Sequence, residues 1–165
     1  MILAIDVHYK EGNAKVVGVL FNWEDENPKE IITTEVHKVE EYQSGQFYKR
    51  ELPCILSLLK QIDLSILEVI IVDGHCYVSN DKKLGLGGYL YEALERKIPI
   101  IGVAKKSFHN TEKVSNPVYR GNSKVPLFVS SIGIDIEFIT NKVLKMYGNY
   151  RIPTILKQLD RLTKS

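Results

Sequence analysis

The sequence is poor in the features that mark secreted and membrane proteins. It has only two cysteines among 165 residues, Cys54 and Cys76, which is too few for a disulfide framework. It contains no secretory signal peptide, no apolar run of membrane-spanning length and no low-complexity tail. We therefore expect a protein of the reducing cytoplasm that does not bind membranes.

The chain also lacks a strong excess of either charge. Its 22 lysines and arginines against 20 aspartates and glutamates give a formal net charge of +2, which neither requires nor excludes a nucleic-acid partner. A protein that uses acids to bind a metal can be nearly neutral overall while it keeps local basic patches. The length fits one domain with its own core, and we expect a single, monomeric domain over residues 1–165.

Two carboxylates interrupt or end apolar runs. Residues 68–74 read EVIIVDG, which is typical of a buried central strand that stops at Asp73. The first run, Ile2 to Tyr9, contains Asp6. Burial of a lone carboxylate is costly unless the group is paired or binds a metal, and ligands of open α/β sheets bind beyond the carboxyl ends of the strands. The two acids therefore predict a metal site at that edge of the sheet.

Hydrophobic periodicity predicts an α/β protein, with an antiparallel meander of three strands followed by parallel strands that alternate with helices. The expected strands cover residues 2–9, 14–23, 30–39, 69–72, 99–104 and 127–132, and the expected helices cover residues 47–62, 84–97, 135–147 and 152–162. Pro53 leaves open whether the first helix begins near that residue or bends there. Residues 108–124 are expected to form a loop or a hairpin.

Glu51, at or near the first helix, completes a set of three acids with Asp6 and Asp73. This order of acids and elements is that of the ribonuclease H-like fold, a mixed sheet flanked by helices. Mg²⁺ prefers oxygen ligands and retains several waters, and a bound ion activates water and stabilises charge on a phosphate. The alternative is that each acid forms a salt bridge or caps a helix.

Seven segments, in the right order and covering most of the chain, resemble the Endonuclease V family. They are AIDVHY around Asp6, EYQSGQFYKRELP around Glu51, IVDGHCY around Asp73, KLGLGGYL at 83–90, IPIIGVAKKSF at 98–108, PLFVSSIGID at 126–135 and GNYRIP at 148–153.

The resemblance implies a metal-dependent endonuclease that hydrolyses phosphodiester bonds near deaminated bases, typically hypoxanthine, in DNA or RNA, as in nucleic-acid repair. Its cofactor would be Mg²⁺ or Mn²⁺. By the same resemblance, Asp6, Glu51 and Asp73 would be metal ligands and Lys105 would approach the scissile phosphate.

The resemblance also implies residues for base recognition. Tyr42 would be the aromatic wedge beside the deaminated base, although a tyrosine that packs on the following helix is the alternative. The remaining substrate-binding residues would be glycines, with the segment 85–88 shaping the base pocket. They are Gly45, Gly74, Gly85, Gly87 and Gly88.

Two departures from the family pattern leave other functions open. Residues 79–81 read Ser-Asn-Asp where the family often has His-Pro-Arg, and Ile134 stands where a histidine is usual. Asp135 or Glu137 could replace that histidine, and we expect Asp135 as a further metal ligand. The alternatives are a nucleic-acid-binding module that has lost cleavage, or a nuclease of the same fold with a different substrate.

Overall fold

The computed structural model of the protein describes residues 1–37, Val39 and 47–165, with Phe47 described by its backbone alone. The strands are β1 (Ile2–Lys10), β2 (Asn13–Phe21), β3 (Glu30–Val36), β4 (Val69–Asp73), β5 (Ile100–Ala104), β6 (Asn116–Val118) and β7 (Leu127–Ile132). The helices are α1 (Phe47–Leu59), α2 (Leu86–Ala93), α3 (Ile136–Leu144) and α4 (Thr154–Lys164), with a 3₁₀ turn at Leu64–Ile66.

All these strands form one mixed sheet in the order β3-β2-β1-β4-β5-β7-β6. The meander of β1, β2 and β3 is antiparallel, as the sequence predicts. The centre is parallel, because β4 pairs with β1 on one side and with β5 on the other. At the far edge, β7 returns antiparallel to β5 and pairs with the short β6. The carboxyl ends of β1, β4 and β5 therefore meet at one edge of the sheet.

Helices cover both faces of the sheet, and the alternation of side chains along β1 decides which residue meets which helix. Ile2 and Ala4 belong to a core cluster that includes residues of α3 and α4. Leu3 and Ile5 belong to a second cluster with residues of α1 and α2. Asp6 is two residues beyond Ala4, so it shares the face that α4 covers.

The first two helices differ from the sequence prediction. α1 runs through Pro53 without interruption, so the interpretation that it begins near Pro53 is wrong. Pro53 is exposed, and water can therefore hydrogen-bond the carbonyl that proline leaves without a donor. α2 is shorter than expected because Glu95 and Arg96 take the left-handed conformation, with φ of 57° and 60°. No helix in the described ranges is long and apolar enough to span a membrane.

Candidate active site

The central parallel strands bring three of the predicted site residues to the same edge. Ile5 pairs with Val72, so the residues that follow them, Asp6 and Asp73, are neighbours on adjacent strands. β5 pairs with β4 as far as Asp73, and Lys105 is the first residue after β5. Asp6, Asp73 and Lys105 line one cleft together.

Asp6 is an acid whose ionised form the fold disfavours. Burial raises the pKa of its carboxyl group to about 7, and the negative charge of Asp73 adds to the increase. The backbone N–H of Val7 donates to Oδ1 of Asp6 at 2.9 Å and opposes the shift only in part. An acid in this state gains from a nearby cation, which would stabilise its charged form.

Asp73 and Lys105 form the more solvent-exposed side of the cleft. The protein surrounding Asp73 raises the pKa of its carboxyl group, and the positive charge of Lys105 opposes this shift. Both side chains remain accessible at the mouth of the cleft. Lys105 therefore offers a positive charge beside the two strand-end acids, where an anionic group of a ligand could bind.

Glu51 approaches the same edge from α1, on the other face of the sheet. Only 7% of the residue is exposed. Burial raises its pKa to about 8, and the charges of Asp6 and Asp73 contribute to the increase. The Tyr9 hydroxyl lies beside the Glu51 carboxylate and lowers its pKa, yet makes no hydrogen bond of standard geometry among the described residues. The guanidinium of Arg50 lies 3.4 Å above the Tyr9 ring.

The three acids interact electrostatically, but their carboxylates do not converge on one metal-binding position. We expected the carboxylates of Asp6, Glu51 and Asp73 to lie within one metal-sized cluster. In the described part of the chain, no group of three histidine, cysteine, aspartate or glutamate side chains could hold a metal ion as arranged. The donor set itself fits Mg²⁺ or Mn²⁺, because it consists of partly buried carboxylates with raised pKa values.

Asp160 is a fourth acid at this site, and the sequence patterns did not predict it. It lies on α4 and lines the cleft with Asp6 and Asp73, and its charge raises the pKa of both. Burial raises the pKa of Asp160 itself, but a hydrogen bond from Lys164 and the charge of Lys105 outweigh that effect and leave the pKa lowered. One feature of the sequence could have identified it: Asp160 lies four residues after Leu156, within the apolar stripe of an amphipathic helix.

The half-buried Arg151 and the buried His75 support the loop that carries Lys105. Arg151 donates from Nη2 to the carbonyl oxygen of Lys105 at 2.6 Å and to that of Pro126 at 2.8 Å. His75 Nε2 lies 2.8 Å from the carbonyl oxygen of Lys106 and must donate to it, so Nδ1 carries the lone pair. Burial lowers the pKa of His75. These bonds hold the backbone after β5 in place.

The predicted base-pocket glycines are buried against protein atoms. A Cβ on Gly87 would lie 2.7 Å from Sγ of Cys76, and one on Gly88 would lie 2.7 Å from the Cys76 carbonyl oxygen. A Cβ on Gly85 would lie 2.7 Å from the carbonyl oxygen of His75. These glycines therefore let α2 begin in direct contact with the segment after β4, a packing role that the motif alone did not indicate.

The other predicted substrate-binding residues are less informative. Gly74 follows Asp73 with φ of +151°, and its N–H donates to the carbonyl oxygen of Val103. This conformation suits glycine and turns the chain immediately after the strand-end acid. Tyr42 and Gly45 lie outside the described residues.

Asp135 and Glu137 lie away from the other acids. Asp135 caps α3 by accepting the N–H of Phe138 at 3.0 Å, and Glu137 accepts from the side chain of Asn116 at 3.2 Å. β7 runs antiparallel to β5, so that its last residue, Ile132, pairs with the first residue of β5. Asp135 therefore lies near the opposite end of the sheet, and the structure does not bring it to Asp6 and Asp73.

Comparison with known proteins agrees with this architecture. The family model for Endonuclease V matches residues 1–130. The curated Endonuclease V of Pyrococcus abyssi is 32% identical over 168 residues, which cover 99% of this chain and 78% of that protein.

Solved structures extend the comparison to the fold. A crystal structure of human ENDOV superposes with a TM-score of 0.76 at 21% identity, covering 99% of this chain and 82% of that one. Ciona intestinalis Endonuclease V, in complex with DNA containing an inosine followed by a ribo-adenosine, has a TM-score of 0.80 at 21% identity, covering 99% of this chain and 83% of that one.

The mixed sheet and its flanking helices place the protein in the ribonuclease H-like class. Within that class, the chain belongs to the Endonuclease V family.

Proposed function

We propose that the chain is a metal-dependent endonuclease that hydrolyses phosphodiester bonds near deaminated bases, inosine above all, in DNA or RNA. The proposal rests on the observation that Asp6, Asp73 and Lys105 line one cleft. Glu51 lies close enough for the charges of Asp6 and Asp73 to raise its pKa. Family membership supports nuclease activity. The inosine-containing DNA bound by the Ciona intestinalis relative supports the choice of base.

The residues that would hold Mg²⁺ or Mn²⁺ are Asp6, Asp73, Glu51 and Asp160. Their oxygen atoms suit a hard divalent cation, and its charge would stabilise the ionised forms of Asp6 and Glu51, whose pKa values burial and the neighbouring acids raise. Such an ion, when bound, supplies an activated water and stabilises negative charge at the reacting phosphate.

The chain's own groups would orient the substrate. Lys105 offers its ammonium group to a non-bridging phosphate oxygen, while Arg151 fixes the backbone from which that side chain extends. Apolar side chains from β7 and α4, among them Leu127 and Leu156, line the same cleft and limit the entry of water. Tyr42 would fill the gap left by a displaced base, as the family motif implies.

A cleavage assay on matched inosine and adenosine strands, in both DNA and RNA, tests the proposal. We expect the wild type to cut the inosine strands in Mg²⁺ or Mn²⁺ and to be inactive in EDTA. Asp6→Asn and Lys105→Ala should each lower the rate by about 10²-fold, the typical loss when one charge-stabilising group is removed from an active site.

Two control variants test whether the loss of activity is specific to the candidate active site. Lys106→Ala removes the adjacent lysine side chain, and Asp135→Asn removes the acid at the other end of the sheet, so both should cut at the wild-type rate. Cleavage in EDTA, equal rates on inosine and adenosine strands, or full activity of Asp6→Asn would each contradict the proposal.

A nuclease with a different substrate is the second candidate, and Asn80 favours it. Its side chain accepts from the N–H of Lys113 at 2.9 Å and donates to Glu112 at 3.1 Å. In this chain, residues 79–81 therefore fasten one loop to another, at the place where the family often has a His-Pro-Arg element. Metal-dependent cleavage that is equal on inosine and adenosine strands would favour this candidate.

A further inference from the structure

The positive charge of the chain is concentrated in one segment. Residues 105–157 contain nine lysines or arginines and three aspartates or glutamates. That segment has a formal charge of +6, although the whole chain carries only +2, so the remainder is negative by 4. The segment comprises β6, β7, α3, the connections around them and the first turn of α4, so most of the excess charge lies on the elements that follow β5.

The same segment exposes aromatic side chains. Apart from Ile31 and Ile66, the exposed large apolar side chains of the described ranges all lie between residues 108 and 150. Tyr150 is 79% exposed and Tyr119 is 58% exposed. Large exposed rings within a positive surface are the combination used by proteins that bind single-stranded nucleic acid, where rings stack on bases and cations bind the backbone.

A buried arginine holds the two tyrosine-bearing segments together. Arg120, next to Tyr119, is only 4% exposed, and its guanidinium donates to the carbonyl oxygens of Tyr150 at 2.6 Å and Gly148 at 3.1 Å. The two backbones also meet at Gly121, where a Cβ would clash with the carbonyl oxygen of Asn149. The tyrosines are therefore exposed side chains on a fixed backbone, which lowers the entropy lost on binding.

This surface is continuous with the candidate active site. Arg151 directly follows Tyr150, and its guanidinium binds the carbonyl oxygen of Lys105, which lines the acidic cleft. Tyr150 is therefore adjacent in sequence to the arginine that holds the backbone of Lys105.

We infer that Tyr119 and Tyr150 form a stacking platform for unpaired bases of the nucleic-acid strand that continues beyond the cleavage site. The inference rests on the proposed function and adds a binding surface to it. The net charge of +6 favours a polyanion over a neutral protein surface, and flat rings suit bases of any sequence. Binding at the platform is therefore expected to depend on bases being present and to be indifferent to which base it is.

The test compares two oligonucleotides that differ only in their bases. One is oligothymidine of about 15 nucleotides, near the upper site size of single-strand-binding folds, and the other has the same length with abasic tetrahydrofuran sites. Fluorescence anisotropy in EDTA measures both dissociation constants without cleavage. We expect wild type to prefer oligothymidine, and Tyr119→Ala with Tyr150→Ala to lose about tenfold in affinity per ring, while abasic binding stays unchanged.

Controls make the result specific to the rings. Tyr119→Phe with Tyr150→Phe retains the aromatic faces and should bind as wild type does. Phe138→Ala removes an exposed ring from α3, which is capped at the other end of the sheet, and should also bind as wild type does. Equal wild-type affinity for the two oligonucleotides, or an unchanged preference in the double alanine variant, would overturn the inference.

Light scattering and catalysis provide two further outcomes. A wild-type dimer that the double alanine variant dissociates would overturn the inference, because the surface would then be covered by a second copy of the chain. The binding measurement is independent of catalysis. A base preference that the double alanine variant loses supports the platform even if the wild type cuts no inosine strand, a result that would contradict the proposed function alone.

Discussion

At the scale of single residues, the fold raises the pKa values of the Asp6 and Glu51 carboxyl groups into the neutral range. The pKa of Asp6 rises from 3.8 to about 7 and that of Glu51 from 4.5 to about 8, with burial as the main cause in both. Each unit of difference between folded and unfolded states corresponds to about 1.4 kcal/mol. The ionised site without a cation therefore destabilises the folded chain.

We expect the metal-free protein to lose stability as the pH rises from about 5 to about 8. In this window the folded chain retains protons on Asp6 and Glu51 that the unfolded chain has already released, so the free energy of unfolding falls with pH. Asp6→Asn should make the fall shallower and should raise stability at pH 8, by on the order of 4 kcal/mol at most. Urea unfolding in EDTA across this window measures both effects.

Asp135→Asn is the matched control for this titration, because Asp135 only caps α3. It should shift stability by less than about 1 kcal/mol, because asparagine caps a helix about as well as aspartate, and it should leave the dependence on pH as in the wild type. A metal-free wild type whose stability is constant or rises between pH 5 and pH 8 would contradict the account of Asp6.

Sequence patterns identified Asp6 and Asp73 because each acid interrupts or ends an apolar run. Asp6 interrupts an apolar strand and Asp73 ends one, and both lie at the edge of the sheet that the pattern indicates. Asp160 stands in a helix that also carries many charged residues, so a single acid in its apolar stripe was less conspicuous. The family motif predicts Asp135 as a metal ligand, whereas the direction of β7 takes it to the other end of the sheet.

At the scale of elements, Arg120 joins β6 to the connection between α3 and α4. Its guanidinium donates to backbone carbonyl oxygens between residues 144 and 151. We expect Arg120→Met to lower the free energy of unfolding by about 3–5 kcal/mol, because buried carbonyls would lose their donors. Urea unfolding at neutral pH provides the measurement.

Arg120→Lys keeps the charge but lacks the planar fork that reaches several acceptors, so it should recover less than half of the loss. Lys124→Met, at an exposed site in the same segment, should change stability by less than about 0.5 kcal/mol. A loss below about 1 kcal/mol for Arg120→Met would show that the arginine does not hold this connection.

Periodicity predicted most elements, and its failures have local causes. The strands and four helices follow the apolar repeats, and β6 and β7 form the hairpin that the polar segment left open. α1 continues through Pro53 because that residue is exposed to solvent, and its exposure could not be predicted from the sequence. The close packing of Gly87 on Cys76 likewise depends on how α2 meets β4, a tertiary contact that no local pattern encodes.

At the scale of the whole molecule, acidic and basic residues are concentrated in different parts of the fold. Carboxylates gather at the ends of the parallel strands, while lysine and arginine concentrate in residues 105–157. The sequence predicted the mixed sheet because the order of meander, helix and parallel strands permits few topologies. It could not predict how closely the acids approach, since that distance depends on their charge state and on bound cations.

Anomalous diffraction from crystals soaked in Mn²⁺ tests the central claim most directly, namely that the strand-end acids form a divalent-metal site. We expect an anomalous peak between the carboxylates of Asp6 and Asp73, at about 2.1 Å from the nearest oxygen of each, with Glu51 or Asp160 within reach of the ion or its waters. Crystals of Asp6→Asn should lose that peak. A saturating soak that leaves Asp6 and Asp73 without the ion, or that places the ion at Asp135 instead, would contradict the account.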